Sequence, residues 1–202
     1  MKKIIIASFI IVLFSSRGLA QHNLFGVGWE VNFPNNDGYV TKTSYSGGKL
    51  DYRHFIQHKN LSFGLAINWC TYEQHIPRQT FVSEDGNSAL TSDFVAQVYQ
   101  VPMTATLHYY FSESKMLRPY VGVGLGAQYL DQSLYYNVYI SDENNWGFVA
   151  RPELGIYLKP KNSRNWGIWL AANYSYATNE FGVLNNNSFQ NFGLTLGAAF
   201  WQ

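Results

Sequence analysis

The stretch Phe25-Gly26-Val27-Gly28-Trp29-Glu30-Val31-Asn32-Phe33 decides the fold, because its large apolar residues fall on odd positions and Gly26, Gly28, Glu30 and Asn32 on even ones. A period of two is the signature of a strand whose faces meet different surroundings. The same pattern recurs down the chain. Leu61, Phe63, Leu65, Ile67 and Trp69 oppose Ser62, Gly64, Ala66, Asn68 and Cys70, and Tyr99, Val101, Met103, Ala105, Leu107 and Tyr109 oppose Gln100, Thr104, Thr106 and His108. Val121, Val123, Leu125, Ala127 and Tyr129 alternate with Gly122, Gly124, Gly126 and Gln128. The segments 148–158, 166–176 and 192–200 carry their apolar face on even positions. The run from Leu50 to Lys59 is weaker, with His54 and His58 on the apolar parity. Eight strands are expected.

The connections between them are expected to alternate in length. Lys59-Asn60, Ser112 to Lys115 and Lys161 to Asn165 read as short turns, whereas Asn35 to Gly48, Arg78 to Asp93, Val138 to Trp146 and Gly182 to Ser188 read as longer loops rich in Asn, Asp, Ser and Gly. Short turns at one end and long loops at the other characterise up-and-down membrane barrels, and an even strand count closes the sheet without an edge. The expected fold is therefore all-β, an eight-stranded antiparallel transmembrane barrel.

Composition points the same way. The 202 residues are 17% aromatic and 47% hydrophobic, yet only 13% charged, where an ordinary soluble domain has about a quarter. That excludes a disordered chain, and a single cysteine excludes a disulfide framework or a cysteine-based zinc site. A net charge of +1 carries no nucleic-acid footprint. At the N-terminus, Lys2-Lys3 precede the apolar run Ile4 to Phe14, and Gly18-Leu19-Ala20 ends in small residues. This reads as a signal peptide, residues 1–20, cleaved after Ala20 to leave a barrel domain of residues 21–202. Its removal takes away Lys2, Lys3 and Arg17 and no acid, turning the formal charge from +1 to −2.

Which face meets lipid follows from the glycines. Those within the strands share the face that carries Glu30, Asp51, Arg53, Gln100, Arg151 and Glu153. Small residues and a few charges suit the crowded lumen of a narrow barrel, whereas the outside of a soluble barrel carries many solvated Lys and Glu. The apolar face also ends at Glu73, Gln97, Asp131, Glu180 and Gln190, after stretches of about 9–11 residues, the length that crosses a bilayer. Aromatics such as Trp69, Tyr109, Tyr129, Trp146 and Tyr174 gather near the ends of these stretches, where membrane girdles lie.

Tyr99-Gln-Val-Pro102-Met-Thr-Ala-Thr-Leu-His-Tyr109-Tyr-Phe111, followed by Arg118-Pro-Tyr-Val-Gly-Val-Gly-Leu-Gly126, resembles the central hairpin of the small outer-membrane β-barrel domain family, the porin-family or OmpA-, OmpX- and OmpW-like barrels of Gram-negative bacteria. Asn191-Phe-Gly-Leu-Thr-Leu-Gly-Ala-Ala-Phe200 resembles its final strand, although Gln202 follows Phe200 and Trp201 where such barrels end in an aromatic residue. The resemblance implies a bacterial outer-membrane location. It also implies outer-membrane lipid and, during insertion, the barrel-assembly machinery as partners.

No catalytic, cofactor or metal site is expected. His54 and His58 on one strand face would stand about 13 Å apart, too far for one metal ion. Some membrane barrels modify lipid A with a surface Ser and His, but no His-x-Ser pair lies on a strand here. The series Gly122, Gly124, Gly126 alternates on a strand with no helix after it, which fits lumen packing and not a phosphate loop. Charges in a narrow lumen need partners, so Glu30, Arg53, Arg151 and Glu153, with Gln100 and His108 as neighbours, are expected to form a polar plug. Glu30 and Arg53 are expected to meet across the first hairpin. Three functions stay open: a structural or interaction barrel that meets an extracellular or envelope protein through its loops, a narrow passive channel for small and, by the OmpW-like resemblance, hydrophobic solutes, or a subunit of an envelope or secretion assembly.

Overall fold

Each wall of the molecule is a strand with one polar and one apolar face. The computed structural model describes residues 23–35, 40–57, 59–82, 89–112, 116–136, 139–160, 165–179 and 188–201. The proposed signal peptide and the terminal Gln202 lie outside them, as does His58. The strands are β1 (Asn23–Pro34), β2 (Ser44–Phe55), β3 (Leu61–Val82), β4 (Ala89–Tyr110), β5 (Leu117–Tyr136), β6 (Tyr139–Leu158), β7 (Trp166–Ala177) and β8 (Phe189–Trp201). They form a closed barrel in sequence order, sealed where β1 pairs with β8 antiparallel from Leu24↔Trp201 to Pro34↔Asn191. Closure leaves no sheet edge in the barrel wall, the condition for crossing hydrocarbon.

The two faces segregate as the alternation dictates. Phe25, Val27, Leu65, Ile67, Leu107, Val123, Leu154 and Leu196 are exposed on the outer surface, while Glu30, Asn68, Gln100, Arg151 and Asn173 are buried in the lumen. The inward glycines fit because their neighbours crowd them: a Cβ on Gly126 would lie 2.0 Å from the Met103 carbonyl oxygen, and one on Gly122 would lie 2.1 Å from His108 Cδ2. Gly124 is looser, with Thr104 Oγ1 at 3.0 Å from such a Cβ.

Several expected boundaries are corrected. Strand β2 begins at Ser44 and ends at Phe55, so Tyr45-Ser-Gly-Gly is strand and not loop. Its glycines serve the ladder: Gly48 sits under the Trp69 indole, where a Cβ would be 2.2 Å from the ring, and a bulge changes register between Glu30 and Asn32. Similarly, β3 and β4 run through most of the expected 78–93 loop, past Pro77, because the register shifts between Ile76 and Gln79. Bulges are where a sheet admits proline. The expected loop 138–146 is strand from Tyr139 onward, since Tyr136 and Tyr139 pair where β5 meets β6.

The result is a lopsided barrel. β3 to β6 contain 20–22 residues, against 12–13 in the other four strands. A crossing needs about 9–11, so half of each long strand rises as a four-stranded ribbon at one end. The opposite end, where β2–β3, β4–β5 and β6–β7 connect and where β1 begins and β8 ends, is the turn end.

Candidate functional site

The lumen is where the sequence concentrates unusual chemistry, and its side chains form successive layers. At the turn end, aromatic rings make a floor. Tyr120 and Tyr157 stack with centroids 5.2 Å apart, Tyr157 stacks on Trp169 at 6.1 Å, and Trp201 meets Tyr157 edge-on at 5.9 Å. Phe55 and Tyr110, 5.1 Å apart, complete it.

Above the floor lies the first charged layer, centred on Arg53, which has no exposed surface. Its Nε and Nη2 donate to Asp51 Oδ2 at 2.9 and 2.5 Å, and Nη2 also donates to Glu153 Oε1 at 3.0 Å and to Tyr120 Oη at 3.2 Å. The guanidinium lies 4.4 Å from the Tyr120 ring centroid and 5.3 Å from that of Tyr157. This geometry adds a cation–π attraction to the hydrogen bonds. Glu153 is held from three more sides: Lys49 pairs with Oε2, Tyr120 donates to Oε1 at 2.7 Å, and His108 Nε2 stands 3.9 Å from Oε1. Trp169 Nε1 donates to Tyr120 Oη at 2.7 Å.

The second layer is centred on Glu30. Arg151 Nη2 donates to Glu30 Oε1 at 3.0 Å and to Asn173 Oδ1 at 2.7 Å. Glu30 Oε2 accepts from Asn68 at 2.8 Å, Thr195 at 3.1 Å and Asn173 at 3.4 Å. Among the described buried side chains, Lys49, Arg53 and Arg151 balance Glu30, Asp51 and Glu153. Such pairing is what burial demands of charges.

A layer of amides follows. Gln100 Nε2 donates to Tyr72 Oη at 3.1 Å, and Asn191 Nδ2 donates to Tyr72 Oη at 2.7 Å and to Asn32 Oδ1 at 3.0 Å. Towards the ribbon end the lumen is capped by Val40, Val98, Leu130, Val149, Ala177 and Phe189. Asn179 ties this cap together by donating to Asn145 Oδ1 at 2.6 Å and to the Gln128 carbonyl.

The expected site residues thus all face the lumen, but their partnerships differ from expectation. Glu30 and Arg53 do not pair: across the hairpin Glu30 stands opposite Gly47, and Arg53 opposite Leu24. The connection is off-centre once β2 starts at Ser44, so the two charges sit in different layers. Arg151 and Glu153 share a face, as expected, but each joins a separate layer. Gln100 belongs with the amides and Tyr72, whereas His108 flanks Glu153. Lys49 was missed because it precedes the expected start of the strand, although the parity of Asp51 and Arg53, extended by one step, would have found it.

Asp51, His108 and Glu153 each offer a ligand atom, all within 4.8 Å of one another. Arg53 and Lys49 already occupy Asp51 Oδ2 and both Glu153 oxygens, so the carboxylates neutralise the protein's own cations and do not fit a metal ion. An open groove of about 530 Å³, walled by Trp29, Leu154, Leu170, Leu194 and Leu196, lies on the outer wall and not in the lumen.

Comparison with known proteins completes the picture. The chain is similar in structure to Ail, the attachment invasion locus protein of Yersinia pestis, solved in complex with the heparin analogue sucrose octasulfate. That match has a TM-score of 0.53 and 15% identity, and covers 91% of this chain and 100% of Ail. Neisserial surface protein A matches with a TM-score of 0.52 and 14% identity, over 89% of this chain and 95% of the other. At these identities the likeness is one of fold. No curated protein sequence matches the chain. The OmpW family model matches residues 70–185, from the wall of the amide layer through the long ribbon and past the end of β7. With more than half of its length inside that match, the chain belongs to the OmpW family, eight-stranded barrels of the Gram-negative bacterial outer membrane.

Proposed function

We propose that this protein is a non-enzymatic structural and interaction barrel: a sealed β-barrel anchor that carries the β3–β6 ribbon out of the membrane to meet an extracellular or envelope protein. The observation that carries this reading is the charge-balanced lumen network. Eight strands enclose an interior only just wide enough for side chains, and here Arg53, Glu153, Glu30 and Arg151 bridge opposite walls between an aromatic floor and an apolar cap. Each layer opposes ion flow in its own way, by sterics, fixed charge or dehydration. On this reading residues 1–20 are a signal peptide, the assembly machinery inserts residues 21–202, the turn end faces the periplasm and the ribbon faces outward.

Conductance in planar bilayers tests the proposal. The purified barrel is expected to give no steady current, and Arg53→Ala to introduce leakage. Steady conduction by the wild-type protein, unchanged in Arg53→Ala, would replace the sealed barrel with the narrow passive channel.

A further inference from the structure

The outer wall over β6, β7, β8 and β1 is not flat. Its open groove of about 530 Å³ runs across the strands between two rows of cross-strand partners. The row on the ribbon side is Leu154, Ala172, Leu194 and Val31. The row on the turn side is Ile156, Leu170, Leu196 and Trp29. Between them lie Gly155, Ala171 and Thr195, which by alternation belong to the lumen face, so the floor of the groove is backbone. A Leu-Ala-Leu triple does not by itself make such a hollow. Ala105 sits between Leu65 and Leu125 as Ala172 sits between Leu154 and Leu194, yet Ala105 is exposed and Ala172 half-buried. The next row towards the ribbon is the difference. Beside Ala105 it is Ile67, Met103 and Ala127, whereas beside Ala172 it is Tyr174, Phe192 and Phe33, with the two phenylalanine rings 6.2 Å apart. The aromatic row is a rim on the ribbon side.

The groove also climbs. Ile156 lies close to the turn end of its strand, Leu170 and Leu196 lie farther from theirs, and Trp29 lies farthest along. On β7 the lining residues Leu170 and Ala172 stand between Trp166 and Tyr174, aromatics of the kind that mark the two membrane interfaces. The groove therefore opens into hydrocarbon. Its two polar side chains are already engaged: Trp29 Nε1 donates to the Tyr45 carbonyl at 2.7 Å, and Thr195 Oγ1 donates to Glu30 Oε2 at 3.1 Å. A polar ligand would find no partner there. A second copy related by a two-fold axis would set groove against groove and leave both hollow.

We propose that this groove is a resident site for one acyl chain of a bilayer phospholipid, which enters from the leaflet at the turn end with its carbonyl end at Ile156 and its tail towards Val31. Lipid tails are as apolar as leucine, so hydrophobicity does not distinguish a chain in the groove from one on an even wall. Shape does, because a chain in the groove touches protein on three sides and dispersion adds up over every atom in contact. The site needs only the membrane-spanning wall and is independent of whether the lumen conducts.

NMR on the full-length deuterated protein with protonated methyls, held one barrel per phosphatidylcholine nanodisc, tests this. Cross-peaks from acyl-chain protons to the Leu154 and Leu194 methyls are expected to be strong, and those to Leu65 and Leu125 weak. Ala172→Leu, which fills the groove, is expected to abolish the difference, whereas Ala105→Leu leaves it in place. Protons next to the lipid carbonyl should meet Ile156, and the terminal methyl should meet Val31. Equal cross-peaks on both walls of the wild-type protein overturn the proposal, as do a difference that survives Ala172→Leu and the reverse order of chain protons at Ile156 and Val31. So does contact of the Leu154 and Leu194 methyls with a second barrel in discs that hold two. If Ala172→Leu does not insert, the wild-type comparison of the two walls decides alone.

Discussion

Arg53 and Arg151 are both buried lumen arginines, but their neighbourhoods make them unequal. Replacing Arg53 with Ala takes two hydrogen bonds from Asp51 Oδ2 and one from Glu153, and Asp51 Oδ1 has no partner among the described residues even with Arg53 in place. Removing one member of a buried charge pair costs about 3–5 kcal/mol, so Arg53→Ala should fall in that range. Arg151→Ala should cost less, since Glu30 keeps Asn68, Asn173 and Thr195 as neutral donors. Thermal melting of the two variants side by side checks the order, and equal melting would mean that the layers are not separate. The glycines give a second comparison. Gly126→Ala forces a Cβ to within 2.0 Å of a backbone carbonyl, which cannot move aside, whereas Gly124→Ala meets Thr104 at 3.0 Å. The folded fraction, read as a heat-modifiable gel shift, should drop for the first and hold for the second. Alternation alone made these residues legible as lumen-facing; the difference between them depends on atoms that residue spacing does not encode.

Among the strands, the β3–β6 ribbon sets this barrel apart from a minimal one. Strand β5 pairs with β4 as far as Phe94↔Tyr136 and with β6 as far as Tyr136↔Tyr139, so its backbone groups there are satisfied from both sides. Amides 130–136 should therefore exchange slowly. Pairing of β6 with β7 reaches no further than Val149↔Ala177, so faster exchange on alternate residues of 140–147 is expected. Uniformly rapid exchange over 130–136, measured by hydrogen exchange in nanodiscs, would reduce the ribbon to a flexible loop. The β-rich composition of 133–139 reads as one continuation of strand five; β5 does extend to Tyr136, but Tyr139 already belongs to β6, paired back on Tyr136. The lengths of β3, β4 and β6 are not readable, because Pro77, Asp142, Glu143 and Asn144 are turn formers by local propensity. Pairing with the next strand overrides that propensity.

For the whole molecule the question is which way the barrel points. Lys59, Arg118 and Lys159 lie at the turn end, while Asp93, Asp142 and Glu143 lie on the ribbon. Outer-membrane barrels keep short turns on the periplasmic side. Protease added to intact cells should therefore cut, if anywhere, within the Arg78 to Asp93 segment and spare Arg164. The protected chain should have the mass of residues 21–202. Cleavage at Arg164 with the ribbon spared would invert the topology, and a mass that includes residues 1–20 would remove the signal peptide.

The residue order by itself determined the strand period, the strand count, the lipid-facing and lumen-facing sets, and a family resemblance that the match over residues 70–185 bears out. These are properties of neighbours along the chain, where a side chain's face depends only on odd or even position. Tertiary structure alone decided that Glu30 meets Arg151 and not Arg53, that Lys49 joins Glu153 from 104 residues away, and that Asn179 donates to the Gln128 carbonyl. Those outcomes depend on register, and one bulge at Glu30/Asn32 is enough to shift every contact beyond it. Register emerges from closing the barrel, when all eight strands must agree at once.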